Sequence, residues 1–156
     1  MQAEFVNPIY QATSDVLQTM LGLEVTRGDL RLIDDEAVVG NDANVIIGLT
    51  GSLNGSIHYS FSEEMTLEMV RIMSGMELDE IDKFVSSAVG EIANIISGNA
   101  TTYLAENDFD CDIVSPQIMI GQSKSFSMAN DQALVIPLET EIGEFEINLS
   151  VKESEK

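Results

Sequence analysis

The chain has 156 residues, 44% of them hydrophobic, and its 27 Asp+Glu against 7 Lys+Arg leave a formal net charge of −20. Length and apolar content suffice for one domain with a real core, whereas the deficit of cationic side chains excludes nucleic-acid backbones and anionic membranes as partners. Cys111 is the single cysteine, so an intrachain disulfide is excluded; with no cationic N-terminal segment ahead of an apolar run, and no run of membrane-spanning length, the expectation is a cytoplasmic protein.

In chain order, Asn7-Pro8 signals a helix start, because Asn can cap and Pro suits the first helical position. Ile9, Ala12, Thr13, Val16, Leu17 and Met20 keep helical spacing up to Gly22, which predicts a first helix of about 14 residues. Short β-like pieces follow between Leu23 and Ile33, separated by Gly28-Asp29. The acidic run 34–36 lacks the alternating ligands and the central glycine of a calcium loop, and is expected to be a solvated loop. Val45 to Gly51 reads as a buried strand, Asn54-Gly55 as a hairpin turn, and Ser56 to Phe61 as an alternating strand. That strand carries His58, the only histidine, with no second His or Cys near enough in sequence for a zinc site. Ser62-Glu63-Glu64 then opens a short helix with Met65, Met69, Val70 and Met73 on its apolar face, ended by Gly75.

The longest periodic stretch runs from Asp79 to Asn107 without a proline. Ile81, Phe84, Val85, Ala88, Ile92, Ile95, Ile96 and Tyr103 recur at three- and four-residue steps, predicting one buried stripe of a long helix capped by Asp79. At 100° per residue, Ser87, Glu91, Asn94 and Gly98 fall within an arc of about 60° turned away from that stripe. Their neighbours Ser86, Gly90, Ser97 and Thr101 are small, unlike the Lys, Glu and Gln of an ordinary solvated face. Two interior glycines each cost about 1 kcal/mol of helix stability, which is understandable where something approaches the backbone closely. The strip reads as a docking surface with two tall polar groups. Beyond it, β pieces are expected at 110–114, 116–121, 133–138 and 143–151, with a polar loop over 122–131 and a frayed tail at 152–156.

Helix, β pieces and hairpin thus occur twice. The expected fold is α+β: a two-layer domain spanning 1–151, with a twisted, largely antiparallel sheet, helices packed on one face, and halves related by a pseudo-two-fold.

Ser87-x-x-x-Glu91-x-x-Asn94 followed by Pro116 resembles the signature of the CheC/CheX/FliY phosphatases of bacterial chemotaxis, and the opening Asn-Pro helix and the Gly-Leu-Thr-Gly-x-Leu-x-Gly stretch from Gly48 to Gly55 are most similar to the CheX branch. The resemblance implies hydrolysis of the aspartyl phosphate of a CheY-type response regulator. It assigns Asn94 to position the attacking water and Glu91 to anchor the regulator's lysine, and leaves Ser87, Gly90 and Gly98 as partner-facing positions. It implies no cofactor or metal of the chain's own, Mg²⁺ on the regulator, and a homodimer joined through sheet edges. Proteins of the CheC type carry the motif in both halves. The comparable place in the first helix holds Ser14-x-x-x-Gln18-x-x-Leu21, so one site is expected. The competing reading is a non-catalytic adaptor that binds a response regulator or a receptor-modification enzyme through the same strip.

Overall fold

The computed structural model describes residues 3–34, 38–121, 125–126 and 132–154. Helix α1 spans Ala3–Leu21, and the strands β1 (Thr26–Arg27), β2 (Arg31–Asp34), β3 (Val38–Val39), β4 (Ala43–Gly51) and β5 (Leu53–Phe61) follow it. Helix α2 (Glu63–Ser74) leads to α3 (Lys83–Glu106), and then come β6 (Cys111–Ile113), β7 (Gln117–Ile120), β8 (Ser125–Phe126), β9 (Gln132–Thr140) and β10 (Gly143–Glu153). The main sheet has the order β1-β9-β10-β5-β4-β6, with β2 also on β9, β7 also on β4, and every pairing antiparallel.

This order is its own mirror. Exchanging α1 with α3 and each of β1 to β5 with the strand five later returns the same set of pairings, including the small β3-β8 ribbon. Each half therefore sends its first strands across to the other half's hairpin, and β5 and β10 meet at the pseudo-two-fold. The expected α+β architecture is present, with α1 and α3 side by side on one face of the sheet and α2 against both.

Alternation along the strands supplies the core. Val45 and Ile47 of β4, Tyr59 and Phe61 of β5, and Ile147 and Leu149 of β10 all face the helices, and their burial is the main source of stability. Phe61 stacks on Phe145 across the β5–β10 pair with ring centroids 4.9 Å apart.

Four local expectations are corrected. The first helix begins at Ala3, ahead of Pro8. Pro8 sits one turn in, where it removes a single early hydrogen bond, while Phe5 and Val6 bury in the core and hold that first turn. Asn54-Gly55 lies inside β5; the chain reverses instead around Gly51, at φ 108°, and Ser52. Gly55 is required because a Cβ there would stand 1.9 Å from the Ser150 carbonyl oxygen of β10. The tail is ordered further than expected, since β10 pairs Glu153 with Leu53 and the Ser154 N–H donates to Ser52 O at 2.9 Å. Finally, the polar loop expected over 122–131 contains β8 at Ser125–Phe126, while its other residues, like 35–36 of the acidic run and 155–156 of the tail, lie outside the described residues.

The opposite face of the sheet carries buried polar groups. His58 Nε2 lies 3.0 Å from Asn44 Oδ1, and Asn44 Nδ2 donates to the carbonyls of Asn41 and Met119, tying β4, β5 and β7 together. The alternation of β5 placed His58 on this face; its burial was not expected from the sequence. Burial pushes the His58 pKa down from 6.5 to about 4. The unfolded chain then takes up a proton below pH 6.5 that the folded chain accepts only near pH 4. This contribution to stability is complete above 6.5 and is lost as pH falls toward 4. Urea unfolding at pH 7.5 and pH 5 is expected to show an acid loss about 2 kcal/mol smaller in His58→Gln than in the natural chain. An identical loss in both proteins would remove His58 as the cause.

Candidate functional site

Helix α3 begins where Asp82 accepts from the Val85 N–H at 2.8 Å, so the cap is Asp82 rather than Asp79. From there the buried positions are Val85, Val89, Gly90, Ile92, Ala93, Ile96, Ser97, Ala100 and Leu104. Glu91 and Ser87 are exposed and Asn94 and Gly98 half-exposed, directly opposite that stripe. Glu91 and Asn94 are three residues apart, about 4.5 Å along the axis, so one approaching surface reaches both. Among the described residues, neither side chain has an intramolecular hydrogen-bond or ion-pair partner.

The chemistry available to the strip is narrow. An exposed carboxylate accepts hydrogen bonds from a cation, and an exposed amide both donates and accepts. Cys111 is not a nucleophile for it: the thiol lies on β6, and burial pushes its pKa up, which keeps it protonated. His58 is on the far face of the sheet. No three His, Cys, Asp or Glu side chains come together as a metal site among the described residues. The arrangement can bind and position.

Two expected members of the site behave differently from the rest. Gly90 is buried, and a Cβ on it would meet Ile118 Cδ1 of β7 at 2.4 Å, so its missing side chain makes room for the protein's own strand. Gly98 has nothing within 4 Å of its Cβ position, which leaves backbone open on the strip. Phe84, expected in the buried stripe, is 47% exposed. It is the second residue of α3 and precedes Ser87 by three positions, so it extends the strip at its N-terminal end. The helical period alone puts it there, since Phe84, Ser87 and Glu91 are three and four residues apart.

On α1, the positions expected to be comparable offer no equivalent, whereas the pseudo-two-fold, which carries Leu21 at the end of α1 onto Glu106 at the end of α3, brings Glu91 and Asn94 onto the first turns of α1, where Glu4 and Asn7 are both exposed at the same spacing. Ser14 is half-buried, Gln18 is exposed, and Leu21 is 6% exposed in the core. The neighbouring Asp15 is engaged as the acceptor for the Tyr103 hydroxyl of α3.

Comparison with known proteins converges on one family. Residues 43–139 match the model of the chemotaxis phosphatase CheX. The CheY-P phosphatase CheX of Thermotoga maritima is 31% identical over 97% of this chain and 98% of its own. The chemotaxis protein CheX from Vibrio vulnificus superposes with a TM-score of 0.86 at 30% identity, covering 96% of this chain and 99% of that one. The CheX-CheY-BeF3-Mg complex from Borrelia burgdorferi gives a TM-score of 0.78 at 29% identity over 96% of this chain and 98% of the matched chain.

Proposed function

The chain belongs to the CheX family of chemotaxis phosphatases, and on that premise we propose that it accelerates hydrolysis of the aspartyl phosphate of a CheY-type response regulator in the cytoplasm. One observation carries the reading: in the middle of the outward strip of α3, Glu91 and Asn94 stand tall among small residues, have no partner among the described residues, and can be reached together.

Phosphoryl transfer depends on positioning and electrostatics more than on covalent help from the protein. The Asn94 amide enters beside the phosphoryl group and holds the attacking water in line, its oxygen accepting from the water and its N–H₂ donating. Glu91 accepts from the ammonium of the regulator's lysine and sets the depth at which Asn94 enters. Ser87 and Gly98 keep the rest of the strip low, and Phe84 adds apolar contact at its end. The regulator supplies the phosphoaspartate and Mg²⁺, as the Mg-containing CheX-CheY complex supports. A homodimer formed through a sheet edge completes the proposal, with the outer strands of the pseudo-symmetric sheet as its material.

The deciding experiment follows a purified CheY-type regulator, phosphorylated with acetyl phosphate and separated from the donor, with and without this protein. A phosphoryl lifetime shortened in proportion to added protein is the expected result. Binding without any shortening would replace the enzyme by the adaptor. Glu91→Ala is expected to weaken association about tenfold or more, the scale of one hydrogen bond to a charged group. Titration calorimetry giving an unchanged affinity would remove the lysine contact.

A further inference from the structure

The buried side of α3 is almost wholly aliphatic where it meets the sheet and α1. Such contacts are non-directional; they hold a helix down but discriminate weakly between small rotations about its axis. Two contacts are different: near the C-terminal end of the helix the half-buried Tyr103 hydroxyl donates to Asp15 of α1, and a second bond lies beside the site. Ser97 and Tyr59 are both fully buried, and Ser97 Oγ and the Tyr59 hydroxyl share a hydrogen bond of 2.8 Å between α3 and the central strand β5.

Ser97 stands in a defined relation to the site. It is three residues after Asn94 and seven after Gly90, so Gly90 and Ser97 lie nearly in line along the helix, about 10.5 Å apart and about 20° different in direction. Glu91 and Asn94 fall between them in height. At the Gly90 end, Ile118 occupies the space of the absent side chain and sets the approach of α3 to β7. At the Ser97 end, the hydrogen bond sets the angle of α3 over β5. A rotation of α3 large enough to carry the Asn94 amide about 1 Å would lengthen that bond past its useful range. Either outcome leaves a buried hydroxyl without its partner, an arrangement native interiors avoid.

We propose that Tyr59 and Ser97 are positioning residues for the phosphatase reaction: their buried hydrogen bond fixes the rotation of α3, and so aims the Asn94 amide at the phosphoryl group. Neither residue touches the regulator. The inference rests on the reading of Asn94 as the water-positioning group, and its test separates the two.

Tyr59→Phe removes one oxygen atom and keeps the ring; the Ser97 hydroxyl can then bond back to a carbonyl in its own helix, so the core survives. Ser97→Ala and the double variant complete a cycle. Steady-state dephosphorylation of the acetyl-phosphate-charged regulator is measured per folded molecule, the folded fraction being taken from thermal unfolding. Both single variants are expected to lose about tenfold or more in kcat, as a misplacement near 1 Å costs, with KM within about twofold, and the double variant is expected to lose no more than the worse single. Unchanged kcat per folded molecule, a rise confined to KM, or losses that multiply in the double variant would each overturn the proposal.

A second readout needs no activity. The side-chain amide resonances of Asn94 in the free protein are expected to shift and broaden in Tyr59→Phe while those of exposed Asn99 stay in place. Unmoved Asn94 resonances would overturn the positioning role by themselves. A natural chain that leaves the phosphoryl lifetime unchanged would overturn the phosphatase reading, whatever these spectra show.

Discussion

Asn94→Ala is expected to abolish stimulated phosphate release, lowering single-turnover decay of the phosphorylated regulator by about 100-fold or more, while the affinity measured by calorimetry changes less than about threefold. The magnitude follows from the division of labour on α3. On the proposed roles, Glu91 contributes to binding in ground and transition states alike, whereas a water held in line counts only as the P–O bond to it forms. The variant should fold normally, since Asn94 is half-exposed and has no partner within the described residues, and such substitutions cost at most about 0.5 kcal/mol. Asn94→Asp should be as inactive, because a carboxylate cannot donate to the phosphoryl oxygens and brings a second negative charge toward them. A rate retained within about threefold in Asn94→Ala would show that the regulator positions its own water, and would leave α3 as a docking strip.

The second large effect concerns the fold. Gly55→Ala places a Cβ 1.9 Å from the Ser150 carbonyl oxygen and 2.7 Å from the Val151 Cα, at φ +153°. Both obstacles are backbone, and both belong to the β10 strand that pairs with β5 at the pseudo-two-fold. No side-chain rotation relieves them, so the central pairing has to open. A loss of about 3 kcal/mol or more is expected, seen as a fall in Tm of about 10 °C. Gly98→Ala is the matched control: its Cβ meets nothing within 4 Å, and the gain in helix propensity should raise its Tm by about 2–4 °C. Equal melting temperatures for Gly55→Ala and the natural chain would mean that β5 and β10 do not approach as described.

What the sequence made legible follows the range of the interactions involved. The helical stripe of α3 and the strip opposite it could be read because both are set by a period of 3.6 residues within one segment, and Ser62 and Gly75 bound α2 as expected for the same local reason. Gly90 and Gly98 look alike in the sequence, yet one faces Ile118 on a strand that comes later and the other faces outward. Asn54-Gly55 carries the local signature of a turn; its place inside β5 is decided by the distant β10 backbone. Phe84 was expected in the buried stripe, although its spacing of three and seven residues from Ser87 and Glu91 already puts it on the strip. The Tyr59–Ser97 bond joins two residues that read simply as core and small, and only the superposition of α3 on β5 brings them together. Glu91 and Asn94 were legible as unusual, while their chemistry came from family membership.

The buried Leu21 has a consequence for how the chain could change. Making a second site at this end of α1 would take a carboxylate in place of Gln18, which is exposed and would accept it, and an amide in place of Leu21, which is in the core. The second exchange gives up about 2–5 kcal/mol of packing and desolvates an amide besides, a large share of a typical domain's stability. The C-terminal end of α1 is therefore entrenched as scaffold. A bivalent form built on these positions is separated from the present one by that stability cost.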